Sequence, residues 1–283
     1  VMAKFKETAM QYVFLAAACV SIAAVALICV YLLGNGVPTI FEIGLPNFFG
    51  STWKPSQNLY GIFPFIIGSI YVTAGAIVVG VPIGLICAIF LARFCPDRLY
   101  RVLNPAVRLM AGIPSIVYGF FGLMVIVPVV QELFGTSGKG LLTASVLLGI
   151  MILPTIIGTA EPALRAVPQS YYEGALALGA THERSTFTVI LPAAASGVMS
   201  GVILGVGRAI GETMAVIMIA GNQTRMPGGL LDGLRTMTSN IVLEMGYSTG
   251  LHRQALIATG VVLFVFILII NTCFSLMKRR KDA

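Results

Sequence analysis

The chain has 283 residues, 57% of them hydrophobic and only 10% charged, with a formal net charge of +7 and a mean hydropathy of +0.94. Soluble domains carry about 25% charged residues, so too little polar surface remains here to wrap a core in water, and an ordinary soluble fold is excluded. The basic residues sit in short clusters between apolar runs, with no aromatic-interleaved basic surface, which argues against nucleic acid as a partner.

A membrane-spanning helix needs about 20 mostly apolar residues. Six stretches qualify, near 10–33, 62–92, 106–131, 141–160, 187–221 and 255–277. They predict an all-α integral membrane protein of six transmembrane helices, with residues 1–283 forming a single transmembrane domain. Two of the runs are long for one crossing, which predicts tilt or an extra turn. The alternation of a membrane β-barrel is absent. The first run is too long for the core of a signal peptide, so no cleaved leader is expected. Cys19, Cys29, Cys87, Cys95 and Cys273 are odd in number and have no CxxC spacing. They read as small apolar fillers, not as a disulfide or metal framework.

After the first span, residues 34–61 read as a Gly/Pro-rich outer loop. Tyr31, Trp53 and Tyr60 lie near predicted interfaces, where aromatic rings are common. In the third stretch Pro114 removes a backbone donor, which should kink the helix and leave a carbonyl unpaired nearby. That kink serves packing alone, or else Ser115 and Tyr118 line a path. The short connection 132–140 holds Gly135-Thr-Ser-Gly-Lys139-Gly140. It lacks the GxxxxGK[ST] spacing and the Ser/Thr with which backbone amides and a hydroxyl cradle phosphates. The chain itself is therefore not expected to bind nucleotide.

Residues 167–192 separate the fourth and fifth stretches. Ser170 and Glu173 have capping-box spacing just after Pro168, so a short surface helix should start there and turn at Gly179 before the chain re-enters the bilayer near Leu191-Pro192. From the residues alone, an amphipathic connector and a docking element are both open. In the fifth stretch Arg208 and Glu212 are four apart and are expected on one helical face. Charges at bilayer depth cost ~2.5–3.5 kcal/mol each, so they should face a bundle interior or a watery path. Two readings stand: the pair neutralise each other and fix packing, or Arg208 offers guanidinium donors to a passing oxyanion while Glu212 prevents tight trapping. Gly197, Gly201 and Gly205 are spaced to admit a neighbouring helix, and Gly207 and Gly211 flank the charges. Residues 222–254 are expected to carry a surface helix around 230–245. His182 and His252 have no ligand spacing, so no metal is assigned, and no Ser/His/Asp constellation marks a catalytic site.

Orientation follows from the basic residues. With both termini in the cytoplasm, twelve Lys and Arg lie inside: Lys4, Lys6, Arg93, Arg98, Arg101, Arg108, Arg165, Arg184, Lys278, Arg279, Arg280 and Lys281. Five lie outside: Lys54, Lys139, Arg225, Arg235 and Arg253. The expectation is N-in/C-in.

The pattern Glu173-Gly174-Ala175, then Gly179, then Ile190-Leu191-Pro192 resembles the EAA loop of ABC importer permeases. Gly174 departs from the usual Ala, at a cost a helix tolerates of ~1 kcal/mol. The resemblance implies a coupling helix carrying Glu173, Gly174, Ala175 and Gly179, seated in a groove of a cytoplasmic ATPase. Gly207-Arg208-Ala209-Ile210-Gly211-Glu212-Thr213-Met214-Ala215-Val216 resembles the GRAxGETMAV signature of PstC-type phosphate permeases, and residues 112–123 resemble the third span of that family. PstA-type subunits usually continue with Ala-Pro instead of Met-Ala-Val. The resemblance spans roughly residues 60–277. It implies a MetI-like ABC importer permease fold in the bacterial inner membrane, importing phosphate by alternating access, with Arg208 and Glu212 important for transport. The implied partners are a PstA-type second permease, two PstB-type ATPases that bind ATP and Mg, a periplasmic PstS-type phosphate-binding protein, and membrane lipid; no cofactor is expected on this chain. The alternatives are a permease for sulfate or molybdate, or an ATP-independent secondary transporter.

Overall fold

The computed structural model describes residues 2–282, with side chains described for residues 10–273 and Leu276. Lys4, Lys6, Lys278, Arg279, Arg280 and Lys281, used above for orientation, lie outside the described side chains. The first helix, α1 (Met2–Ile43), runs on through Gly34, Gly36 and Pro38, so the predicted end at residue 33 is corrected to 43. Two side chains fold back on this stretch: Asn35 Nδ2 donates to the Tyr31 carbonyl and Thr39 Oγ1 to the Asn35 carbonyl, each at 2.8 Å. The predicted outer loop therefore shortens. It contains α2 (Leu45–Phe48) and an antiparallel ribbon of β1 (Trp53–Lys54) and β2 (Leu59–Tyr60), with Trp53 opposite Tyr60.

The second span is α3 (Phe63–Ile89), prolonged by a wide helical turn to Phe94. The third stretch needs the largest correction. Residues 106–111 belong to a separate helix, α4 (Asp97–Ala111), and the span proper runs from α5 (Ser115–Phe121) through a wide turn into α6 (Val127–Phe134). Pro114 adopts an extended conformation (φ −59°, ψ 142°), and a residue preceding proline is pushed out of the helical region. The expected kink is a complete break.

The fourth span, α7 (Leu141–Arg165), is followed by α8 (Gln169–Ala177), α9 (His182–Ser185) and α10 (Leu191–Ala193). The axis then bends by 73° at Ala194 into α11 (Ala195–Gly211). Pro192 cannot donate to the preceding turn, so this bend falls where a helix is weakest. α12 (Met214–Ile219), α13 (Met237–Met245) and α14 (Gly250–Asp282) complete the described chain. Among the described residues, five helices are long and apolar enough to cross a membrane, and the bent pair makes six. The expected surface helix in 222–254 is α13, shorter than 230–245.

α7 is the centre of the packing, with Leu147, Leu148, Met151, Ile152 and Ile156 buried. Glycines let its neighbours come close. A Cβ at Gly80 of α3 would lie 2.7 Å from the Gly149 carbonyl oxygen, and one at Gly205 of α11 would lie 2.9 Å from Ile156 Cγ1. The small-residue spacing on α11 thus serves helix approach, as predicted. At the other edge, Gly36 lets α1 rest on α14, where a Cβ would meet Ala258 Cα at 3.2 Å. Gly80→Val should force α3 and α7 apart at a cost of about 1–3 kcal/mol. A lowered thermal unfolding midpoint in detergent checks this, and an unchanged midpoint would contradict the contact.

Candidate functional site

The last turn of α11 carries Arg208, half-buried inside the broken span. Its Nη1 donates to Thr155 Oγ1 of α7 at 3.3 Å. Tyr118 on α5 is near enough to interact with it electrostatically, and α5 presses on α12, where a Cβ at Gly119 would sit 2.9 Å from Ala215 Cα. Gly207 and Gly211 have nothing within 4 Å of where a Cβ would be, so the backbone beside Arg208 borders open space. The structure therefore brings Arg208 together with Tyr118 and Thr155; Thr155 was not foreseen.

Glu212 is a correction. It does not share a helical face with Arg208, because α11 ends at Gly211 and Glu212 is extended (φ −69°, ψ 131°). Its carboxylate turns to the next element, where Oε1 accepts the Ala215 amide at 3.0 Å. A carboxylate at a helix N-terminus satisfies an orphan donor and complements the dipole. Among the described residues, no ion pair joins Arg208 to Glu212. Arg208 thus faces its surroundings with its charge uncompensated by a carboxylate.

Ser115 opens α5 beside the Pro114 break. The carbonyl that Pro114 leaves without its helical donor is that of Met110, and the Tyr118 hydroxyl donates to it at 2.9 Å. The Ile113 amide also reaches this carbonyl, at 3.3 Å, so Tyr118→Phe should remove one of its two hydrogen bonds at a cost of about 0.5–1.5 kcal/mol. Reduced thermal stability with unchanged anion selectivity is the expected result; altered selectivity would instead put the hydroxyl on substrate.

In the 167–192 loop, Pro168 precedes α8 and no side-chain cap forms, so the predicted Ser170–Glu173 capping box is absent; Ser170 already lies inside the helix. Glu173 and Gly174 are exposed, and Ala175 is half-buried. Gly179 ends the helix at φ +85°, with its amide on the Leu176 carbonyl at 2.9 Å; this left-handed stop is the role its position predicted. Leu178 at the tip is 91% exposed, and Tyr171 and Leu176 are exposed beside it. Apolar side chains presented on a polar loop fit a protein groove better than water. Thr181 caps α9 by accepting the Arg184 amide at 3.3 Å. Hydrogen bonds from its own backbone amide and from Thr181 hold the Glu183 carboxyl below its usual range.

A second polar cluster escaped the sequence reading. Glu244 on α13 is only 6% exposed and takes three partners: Arg235 Nη1 at 2.5 Å, Trp53 Nε1 at 2.9 Å and His252 Nε2 at 2.9 Å. Arg235 also donates to Asn240 Oδ1 at 2.9 Å and to the Asn222 carbonyl at 3.2 Å. Burial first, then the Glu244 carboxylate, push the Tyr247 hydroxyl above its ordinary value, with Arg235 offsetting part of this. The cluster ties the β1–β2 ribbon, the 222–245 segment and the start of α14 into one unit.

The structure thus sets an arginine on the open face of a broken span and displays a short exposed helix on the loop that leads into that span. The model of the binding-protein-dependent transport system inner membrane component family matches residues 80–282, and the chain belongs to that family. It is a multi-pass inner-membrane transport component of an ABC importer, which implies a second permease, an ATPase and a binding protein as partners. It is 38% identical over 279 residues to the probable ABC transporter permease protein YqgH of Bacillus subtilis, covering 94% of this chain and 89% of that one. It is 35% identical to the phosphate transport system permease protein PstC of Xylella fastidiosa, covering 84% and 81%. The inward-facing MetNI methionine ABC transporter shares the fold, with a TM-score of 0.61 and 23% identity over 81% of this chain and 99% of that chain. The expected MetI-like architecture holds.

Proposed function

We propose that this chain is the PstC-type permease subunit of a phosphate importer, with both termini in the cytoplasm. Phosphate handed over by a PstS-type binding protein passes the open face at Gly207, Arg208 and Gly211. ATP and Mg act on two PstB-type ATPases, which engage the loop around Glu173, Gly174, Ala175 and Gly179, and a PstA-type permease supplies the other half of the path. ATP binding opens the path outward, and hydrolysis resets it. The observation that carries the reading is Arg208 itself, a guanidinium inside a span with no carboxylate paired to it and open space on its flank. A planar fork of N–H donors matches a tetrahedral oxyanion, and the likeness to PstC proteins supports phosphate among such anions. Glu212, capping α12 next door, shapes the path rather than neutralising Arg208.

Competition uptake in reconstituted vesicles tests the anion. ATP-dependent uptake of labelled phosphate should persist in an excess of sulfate or molybdate and collapse in an excess of unlabelled phosphate. Equal inhibition by sulfate or molybdate would transfer the assignment to another oxyanion, and uptake without ATPase subunits would favour a secondary transporter.

A further inference from the structure

The exposed helix α8 buries no residue completely; Tyr172 packs against the apolar cluster that holds Leu164 and Ile190, and the polar contacts of the helix to the membrane domain are few. His182 is the centre of them. Its Nδ1 lies 2.8 Å from the Tyr172 hydroxyl on α8, and its Nε2 lies 3.1 Å from the Arg93 carbonyl at the end of the second span. A carbonyl can only accept, so Nε2 carries the hydrogen and Nδ1 of the neutral ring accepts from Tyr172. Phe94 packs edge-on against the imidazole, with ring centroids 4.6 Å apart.

From Arg93 the connection continues into α7. Arg93 Nη2 donates to the Leu164 carbonyl at 2.6 Å, and Arg165 Nη2 donates back to the Leu91 carbonyl at 2.7 Å. Each arginine thus serves a carbonyl near the C-terminal end of the other span, where intrahelical donors run out. α7 then extends about 13 Å from Leu164 to Thr155 at 1.5 Å per residue, and Thr155 holds Arg208. The covalent route from α8 to Arg208 runs instead through the wide turn Thr186–Ile190 and the 73° bend at Ala194. Both are points where a helix yields.

We propose that His182 is a positioning residue for energy coupling. It carries the stroke of the coupling loop into the paired ends of α3 and α7, and through α7 to the Arg208–Thr155 contact. The inference rests on the coupling-loop reading above but not on the identity of the anion. A chain of discrete contacts of this kind counts as a coupling route only when coupling itself is measured.

Two variants measure it. His182→Phe keeps a ring beside Phe94 and removes both hydrogen bonds, while Tyr172→Phe removes a single hydroxyl. In the reconstituted complex His182→Phe should leave ATPase activity within about twofold and lower uptake per ATP hydrolysed about tenfold, with a smaller drop for Tyr172→Phe, the scale of a typical coupling free energy. Unchanged uptake per ATP overturns the proposal, and so does an equal loss of uptake and ATPase, which would reveal only a folding role. A substrate-independent arm places spin labels at Leu178→Cys and Val78→Cys, both exposed positions. With His182 present, a non-hydrolysable ATP analogue and the ATPase should leave their separation unchanged, because loop and span move together; in His182→Phe the distribution should shift or broaden. A Leu178 label that stays equally mobile with and without the ATPase would refute the coupling-loop reading and the relay with it. A label that is immobilised, with the same distance behaviour in both proteins, would refute the relay alone.

Discussion

Replacing Arg208 by Gln is expected to cut phosphate uptake by ~10–100-fold, the equivalent of ~1.5–3 kcal/mol for hydrogen bonds to a charged partner. The complex should still assemble and hydrolyse ATP. That separation follows from the geometry. Arg208 donates to a neutral hydroxyl on Thr155, and Glu212 is engaged at the N-terminus of α12. Removing the guanidinium therefore strands no buried carboxylate, and the heavy penalty of breaking a buried ion pair does not arise. Arg208→Lys should fall between the two, because it keeps the charge but loses the fork. Glu212→Gln should be milder than Arg208→Gln, since an amide oxygen still accepts the Ala215 amide.

Glu244→Ala is expected to destabilise the protein by about 3 kcal/mol, because it leaves the partly buried Arg235 without its counter-charge. Trp53 makes the change visible. It is the only tryptophan in the chain, it is buried, and its indole N–H donates to Glu244. Its emission should move to longer wavelength in Glu244→Ala, and the unfolding midpoint should fall. An unchanged spectrum and midpoint would mean that the cluster does not hold the outer segment together. Since Arg235, Asn240 and His252 come from the stretch predicted to lie outside, the same variant should also weaken stimulation of the ATPase by the binding protein.

The spans were legible because apolar length is a direct consequence of bilayer thickness, and the four segments near 62–92, 141–160, 187–221 and 255–277 fall on observed elements. Gly179 was legible because a left-handed helix stop favours glycine. The errors came where local signals compete. Gly34, Gly36 and Pro38 read as a loop, yet Asn35 and Thr39 bond back to the preceding turn and the helix runs on. Pro114 read as a kink, but the extended proline separates α4 from α5 outright. The four-residue spacing of Arg208 and Glu212 assumed an unbroken helix, while Gly211 ends α11 between them. Each of Glu244 and His182 has one partner far away in the chain: Trp53 and Glu244 are 191 residues apart, and Arg93 and His182 are 89 apart. No periodicity carries that information; only the packing of α3, α7, α13 and α14 brings these groups together.

A watery path at the flank of Arg208, as proposed, has to change sides during transport. Gly207→Cys places a thiol there, in open space, for labelling by a membrane-impermeant reagent. Without nucleotide the thiol should react from the cytoplasmic side only; with a non-hydrolysable ATP analogue it should react from the outer side, and phosphate should slow both reactions. A thiol reached only by a lipid-soluble reagent, or reached equally under all conditions, would return Arg208 to a packing role and contradict the path.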